Sequence, residues 1–118
     1  MLQLTPQMRI FLAVEPCDFR KGVDGLAAVC RNVLKQDPFS GYVFVFHNKR
    51  RTSFKLLCYD GHGFWLCMKR LSKGRFRPLR KPQNKIVTPL IAHELQILLL
   101  NGDPQKVAIP PPWRPLEQ

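Results

Sequence analysis

The acidic residues are the first candidates for catalysis, because metal-dependent phosphoryl transfer needs two or three carboxylates converging on divalent cations. In this chain they are scattered, among them Asp18, Asp24, Asp37, Asp60 and Glu94, with no paired motif such as D-x-D. Caps and turns account for most of these positions. There is also no G-x-S-x-G motif and no P-loop. We therefore predict no catalytic residue, and we keep as an alternative a nuclease whose site includes Asp60 and His62.

The cysteines and histidines raise the question of a metal. Cys17, Cys30, Cys58 and Cys67 form no C-x-x-C pair, and we expect buried thiols because free Cys packs as a small hydrophobe. An alternative is a metal held by Cys58, His62 and Cys67, with His47 or His93 as the fourth ligand. That spacing matches no standard zinc site. The prediction is that the protein binds no metal and no other cofactor.

The basic residues are concentrated in one segment. Twelve of the 19 Lys and Arg residues lie between His47 and Lys85, where Asp60 is the only acidic residue, so this segment carries a charge of +11. The rest of the chain is balanced, with seven basic and seven acidic residues. A concentrated positive charge attracts polyanions, whereas an ordinary solvated face mixes both signs. We predict a nucleic-acid-binding surface.

Aromatic residues alternate with these cations in the sequence, as they do where bases stack on rings while cations hold phosphates. Strand alternation places Trp65 on one face with Cys67 and Lys69, and Phe64 on the other, so Trp65 is the better stacking candidate. Residues 18–22 form a corner between the first strand and the first helix. Either this corner has only a structural role, or its Arg20 and Lys21 extend the basic surface beside a helix N-terminus. The predicted nucleic-acid-binding residues are Arg20, Lys21, Lys49, Arg50, Arg51, Lys55, Trp65, Lys69, Arg70, Lys73, Arg75, Arg77, Arg80 and Lys81.

Several strands and one helix must position these residues. Residues 8–14 form an apolar run typical of a strand, and residues 22–36 have helical spacing, with Asp18 or Asp24 available to accept N–H groups at the helix start. Residues 37–41 are a turn, and residues 42–46 an apolar run typical of a central strand. After a basic turn at 48–51, strands at 53–59 and 64–69 flank a hairpin turn with two glycines.

The end of the chain is less regular. Pro78 confines a further strand at 75–79 to a sheet edge. Thr88 is a candidate cap for a second helix with Pro89 at its first position, ending at Asn101 and Gly102. The fold prediction is α+β: an antiparallel meander of about four to five strands with two amphipathic helices, in a single domain of residues 1–106. Residues 107–118 are a Pro-rich tail, expected to be extended and weakly ordered.

The apolar runs are short. None approaches the roughly 20 residues that span a bilayer, and the run at 10–14 is too short for a signal peptide. We expect a cytoplasmic protein without a membrane partner.

Four blocks carry a family resemblance: DFRKGVDGL at 18–26, DPFSG at 37–41 followed by VFVF, YDGHGFWL at 59–66 and KRLSKGRF at 69–76. In order and spacing they resemble the small accessory protein, called TnpB or the second open reading frame, of the bacterial insertion sequence sixty-six family. The resemblance covers residues 8 to about 100. The chain departs from the family pattern at Cys17, where Thr is common, and in its Pro-rich tail.

The resemblance implies an auxiliary protein of transposition that is encoded beside a separate DDE transposase and helps it act on element DNA. The family has no established catalytic residues. We therefore predict a non-catalytic, nucleoid-associated DNA-binding factor whose partners are the element ends and the transposase. One alternative is a protein-interaction module that binds the transposase itself, and the other is the metal-dependent nuclease.

Overall fold

A computed structural model of the protein describes residues 7–79 and 84–100, and it confirms the α+β prediction. Five strands form one sheet in the order β4-β3-β2-β1-β5. The elements in chain order are β1 (Ile10–Ala13), α1 (Val23–Asn32), β2 (Val43–His47), β3 (Ser53–Tyr59), β4 (Phe64–Arg70), β5 (Val87–Leu90) and α2 (Ala92–Leu99).

The sheet is mixed, which corrects one part of the prediction. Strands β2, β3 and β4 form the expected antiparallel meander, with Val45 opposite Leu56 and Leu57 opposite Leu66. Strand β1, however, runs parallel to β2 and antiparallel to β5. The reason is that α1 carries the chain back along the sheet between β1 and β2, and such a crossover produces parallel neighbours.

The apolar side chains form a layer on each face of the sheet. On one face, here the α1 face, Phe44 and Leu57 pack against Leu26 and Cys30 of α1. On the other, the α2 face, the core is formed by Val43, Val45, Leu56, Phe54, Phe76 and Leu95. Strand β2 is buried at every position, as predicted for a strand covered on both sides. The layers fix which residues of β3 and β4 share a face.

The secondary structure predicted for residues 75–90 is wrong. Residues 75–79 contain no strand, and the second edge strand is β5, where Pro89 lies opposite Phe11. Thr88 therefore does not cap a helix. Helix α2 begins at Ala92, and the Glu94 carboxylate accepts the Ile91 N–H at 2.9 Å. Pairing of β5 with β1 outweighs the local capping signal. The predicted stop at Asn101 and Gly102 and the Pro-rich tail lie outside the described residues.

The start of α1 also differs from the prediction. The N-cap is Gly22, without a side-chain bond, so neither Asp18 nor Asp24 caps the helix. The helix ends at Asn32, before Pro38, and Lys35 follows with a φ of 56°. All four cysteines are free thiols. In the described ranges, no helix is long and apolar enough to cross a membrane.

Candidate nucleic-acid interface

Two basic segments, residues 48–52 and 71–77, meet at one end of the sheet. The Leu71 N–H donates to the Thr52 carbonyl at 2.9 Å, and the Phe76 N–H donates to the Arg51 carbonyl. The Phe76 ring is buried 4.5 Å from the ring of Phe54, which fixes the second segment to the core. We call these two segments, together with the last two residues of β4, the basic end. Its cations are Lys49, Arg50, Arg51, Lys69, Arg70, Lys73, Arg75 and Arg77.

The basic end is far from the one acidic residue of its segment. Asp60 lies in the turn between β3 and β4, at the opposite end of two seven-residue strands. At about 3.3 Å per residue this separation is roughly 20 Å, twice the Debye length at 0.1 M salt. The carboxylate of Asp60 therefore does little to lower the potential around the cations.

The β2–β3 turn has a fixed backbone that presents Lys49 and Arg50 to solvent. The Asn48 side-chain oxygen accepts the Thr52 N–H at 2.9 Å and the Ser53 N–H at 3.2 Å. Arg51 adopts a φ of 61°, and its guanidinium donates to the Phe76 carbonyl at 3.4 Å. Arg51 thus helps to hold the two segments together, while Lys49 and Arg50 are exposed.

Lys55 is not part of this surface, contrary to the sequence prediction. Its side chain is 9% exposed, and its Nζ donates to the carbonyls of Phe19 at 2.9 Å and Lys21 at 3.0 Å. The ammonium also lies 5.0 Å from the centre of the Phe19 ring. Lys55 therefore stabilises the corner before α1 from inside. Its position between Phe54 and Leu56 in a buried strand was the available signal.

That corner carries Arg20 and Lys21 beside the basic end. The Cys17 N–H donates to the carbonyl of His47, the last residue of β2, which places the corner at the same end of the sheet. The Arg20 guanidinium forms an ion pair with Asp18 at 2.7 Å, and these hydrogen bonds lower the pKa of Asp18 to about 2. Part of the Arg20 charge is thus compensated locally. Lys21 is exposed, and its carbonyl accepts the bond from Lys55.

Trp65 lies at the other end of β4. Its side chain is 42% exposed on the α2 face, and its indole N–H donates to the Asp60 carboxylate at 2.9 Å. Trp65 and Lys69 share that face, as alternation predicts, but they are four residues apart, about 13 Å. Phe54 and Phe76 are buried. The interleaving of rings and cations in the sequence is therefore not reproduced on the surface.

A second group of rings lies at the same end as Trp65. The ring centres of Phe39, Tyr59 and Phe64 are 4.9–5.2 Å apart, and Phe39 is 52% exposed. We call these three residues the aromatic cluster. It lies at the β3–β4 turn, so basic and aromatic surfaces occupy opposite ends of the sheet.

Asp60 organises the hairpin turn. Its carboxylate accepts the N–H groups of His62 and Gly63, both at 2.8 Å, in addition to the Trp65 indole. These bonds hold the pKa of Asp60 below its usual value. The bond from His62 comes from its backbone and not from its imidazole. Within residues 7–79 and 84–100, no three His, Cys, Asp or Glu side chains lie close enough together to hold a metal ion.

The remaining predicted cations have no described position. Arg80 and Lys81 lie outside the residues that the structure describes, so the extension of the basic end toward them stays a prediction.

Comparison with known proteins identifies the family. The family model of the IS66 Orf2-like proteins, TnpB of IS66, matches residues 8–108. The uncharacterized protein y4jC of Sinorhizobium fredii (strain NBRC 101917 / NGR234) is 33% identical over 108 residues, which are 92% of this chain and 91% of that protein. The uncharacterized protein y4hO of the same strain is 37% identical over 76 residues, 64% of this chain and 66% of that protein. No solved structure matches the chain. The chain belongs to the IS66 Orf2-like family, the accessory proteins of this type of insertion sequence.

Proposed function

We propose that this protein is a non-catalytic DNA-binding factor that assists a separate DDE transposase at the ends of its element. The observation that carries the proposal is the basic end, where two segments distant in sequence bring their cations together and neither segment contains an acidic residue. Family membership supplies the link to transposition. The phosphate backbone supplies most of the affinity in such binding, and Lys and Arg side chains are its usual contacts.

The basic end fits a phosphate backbone better than a single small anion. Its exposed cations come from a turn, from the last residues of β4 and from the segment after it, and they project from both faces of the sheet. Such a distribution suits a long polyanion that crosses the end of the sheet. Arg20 and Lys21 lie on the α1 side of the same path.

A pair of matched double variants tests the proposal. Lys49→Gln with Arg50→Gln removes one Lys and one Arg from the basic end. Arg31→Gln with Lys35→Gln removes the same two charges at the far end of α1, since this helix runs away from the basic end. Both pairs are exposed.

We expect the first variant to bind element-end duplex more weakly, by about eightfold per lost contact at 0.1 M salt, and the second to bind nearly as the wild type. Equal losses would show that net charge, and not the basic end, governs binding.

The proposal that the protein is non-catalytic rests on the interactions of its acidic side chains. The Asp60 carboxylate accepts N–H groups of its own turn, and Asp18 forms an ion pair with Arg20. Purified protein should therefore neither cut nor join element-end DNA in Mg²⁺ or Mn²⁺. Metal-dependent cleavage that disappears in Asp60→Asn would instead support the nuclease alternative.

Binding to the transposase is a second candidate function, and the aromatic cluster favours it. The apolar face of α2 is not available for this role, because Leu95 and Leu98 pack onto the sheet. Phe39 is the exposed member of the cluster. Nuclease-treated wild-type protein should retain the transposase in a pull-down, and Phe39→Ser should lose it while keeping DNA affinity. Retention by both proteins would exclude the cluster from this contact.

A further inference from the structure

Strand β4 is an edge strand of the sheet, and within the described residues its outer edge has no neighbouring strand. Its inner edge pairs with β3 over all seven residues, from Tyr59 opposite Phe64 to Ser53 opposite Arg70. We propose that the outer edge pairs with the same edge of a second copy, forming an antiparallel, twofold-symmetric dimer with one continuous sheet.

The backbone groups on the outer edge follow from two hydrogen bonds. At one end of the β3–β4 pairing, the Asp60 N–H donates to the Gly63 carbonyl at 3.0 Å, and at the other end the Leu71 N–H donates to Thr52. Because bonded pairs alternate along antiparallel strands, the odd-numbered residues from Gly63 to Leu71 bond to β3. The even-numbered residues of β4 therefore direct their N–H and C=O groups outward, as a template for another strand.

One register uses the whole edge. When the twofold axis passes through Cys67, all seven residues are paired, and the even-numbered residues meet each other as hydrogen-bonded pairs. An axis at Leu66 or Met68 also satisfies the alternation but leaves two residues of the strand unpaired. The pairs in the full register are Phe64 with Arg70, Trp65 with Lys69, Leu66 with Met68, and Cys67 with itself.

The side chains of this register are complementary. Each Lys69 faces Trp65 of the other copy on the α2 face, and each Arg70 faces Phe64 on the α1 face, so that every cation meets an aromatic ring. The pairing also covers Met68, which is 53% exposed in the single chain. A parallel pairing would instead place the cations of the two copies side by side. The charge pattern of the edge therefore selects a second, antiparallel copy as its occupant.

The dimer has a consequence for DNA that rests on the proposed function. With a rise of about 3.4 Å per residue and about 4.8 Å between strands, the β2–β3 turns of the two copies lie roughly 35 Å apart. One turn of duplex DNA measures about 34–36 Å. The two basic ends point in opposite directions along the strands, so a duplex that contacts both at this spacing runs along a face of the joined sheet, whereas a duplex that crosses one end of the sheet contacts one basic end only.

The test uses the full chain and one edge position. Met68→Pro removes an outward N–H that β3 does not use, which an edge strand tolerates, and Met68→Ala is the control that keeps this N–H. By light scattering after size exclusion, we expect the wild type and Met68→Ala to have twice the 13.7 kDa chain mass, and Met68→Pro to be monomeric. In the wild type, the N–H groups of Leu66 and Met68 should exchange slowly with solvent only at concentrations where the dimer forms.

Oxidation tests the register. At a non-hydrogen-bonded antiparallel pair the Cα atoms are about 4.5 Å apart, within the range of a disulfide. Two equivalents of copper(II)–phenanthroline, each accepting one electron as the two thiols lose their protons, should cross-link the wild type through Cys67 and not Cys67→Ser.

Two results would overturn the proposal. One is a wild type that stays monomeric up to about 100 µM with fast exchange at Leu66 and Met68, and the other is a dimer that survives Met68→Pro. Neither readout involves DNA, so failure of the DNA-binding proposal would leave both results interpretable.

Discussion

Replacing Lys55 by Met separates a structural cation from a nucleic-acid-binding one. Met has a similar volume and fills the buried stem, but it cannot donate to the carbonyls of Phe19 and Lys21, which now receive bonds of 2.9 and 3.0 Å. It also removes the ammonium that lies against the Phe19 ring. The substitution therefore weakens the corner before α1 without changing the basic end.

The magnitude follows from two opposing contributions. A hydrogen bond to a charged group contributes about 1.5–3 kcal/mol, and two of them are lost. Against this, Met does not carry the free-energy cost of burying a charge, and the carbonyls of an exposed corner regain some hydration. We expect a net loss of about 2–3 kcal/mol in the free energy of unfolding. For a domain of this size that loss lowers Tm by about 10 °C.

Urea denaturation followed by far-ultraviolet circular dichroism measures the loss, and fluorescence anisotropy measures the duplex affinity of the folded variant. Lys49→Met is the control, because an exposed substitution changes stability by no more than about 0.5 kcal/mol. We expect Lys55→Met to lose stability and keep its affinity, and Lys49→Met to do the reverse. A Lys55→Met variant as stable as the wild type but weak in DNA binding would refute the buried role of this residue.

Three further predictions concern the ends of the sheet. Phe76→Ala should cost about 3–5 kcal/mol in urea denaturation, because the ring is buried against Phe54, and should speed exchange of the Leu71 N–H as the 71–77 segment loosens. The pKa of Asp60 is lowered in the folded protein, so its ionised carboxylate stabilises the fold. This contribution to stability is complete above the unfolded pKa of about 3.9, and it is lost as the pH falls through the lower folded pKa. Acid titrations of stability should therefore be flatter for Asp60→Asn. Trp65→Phe should leave duplex affinity in anisotropy titrations unchanged, because Trp65 lies about 13 Å from Lys69 of its own chain and Phe keeps the ring that faces Lys69 of the second copy in the proposed dimer; a clear loss would return Trp65 to the interface.

Local chemistry explains what the sequence predicted correctly. The hairpin turn was predictable because its glycines and Asp60 act within a few residues, and Gly61 does adopt a φ of 90°. The buried run of β2 was equally clear, since a strand covered on both faces needs an apolar residue at each position. Alternation also assigned Trp65 to the correct face of β4.

Long-range contacts explain the errors. Thr88 and Pro89 have the chemistry of a helix start, but their strand pairs with β1, more than 70 residues earlier, and no local signal reports that pairing. The role of Lys55 depends on carbonyls 34 and 36 residues away. The separation of Trp65 from the basic end of its own chain follows from the length of β4. Residues that are only a few positions apart in sequence can lie at opposite ends of an extended strand.

The salt dependence of duplex binding measures how many phosphates the basic end contacts. Each phosphate contact contributes about −0.9 to the slope of log affinity against log salt concentration. With five or more contacts from the basic end, the wild-type slope should be about −4 or steeper, and Lys49→Gln with Arg50→Gln should make it shallower by up to about 1.8. Arg31→Gln with Lys35→Gln should retain the wild-type slope. An affinity that hardly changes with salt, or a slope that the basic-end variant leaves unaltered, would contradict phosphate binding by the basic end.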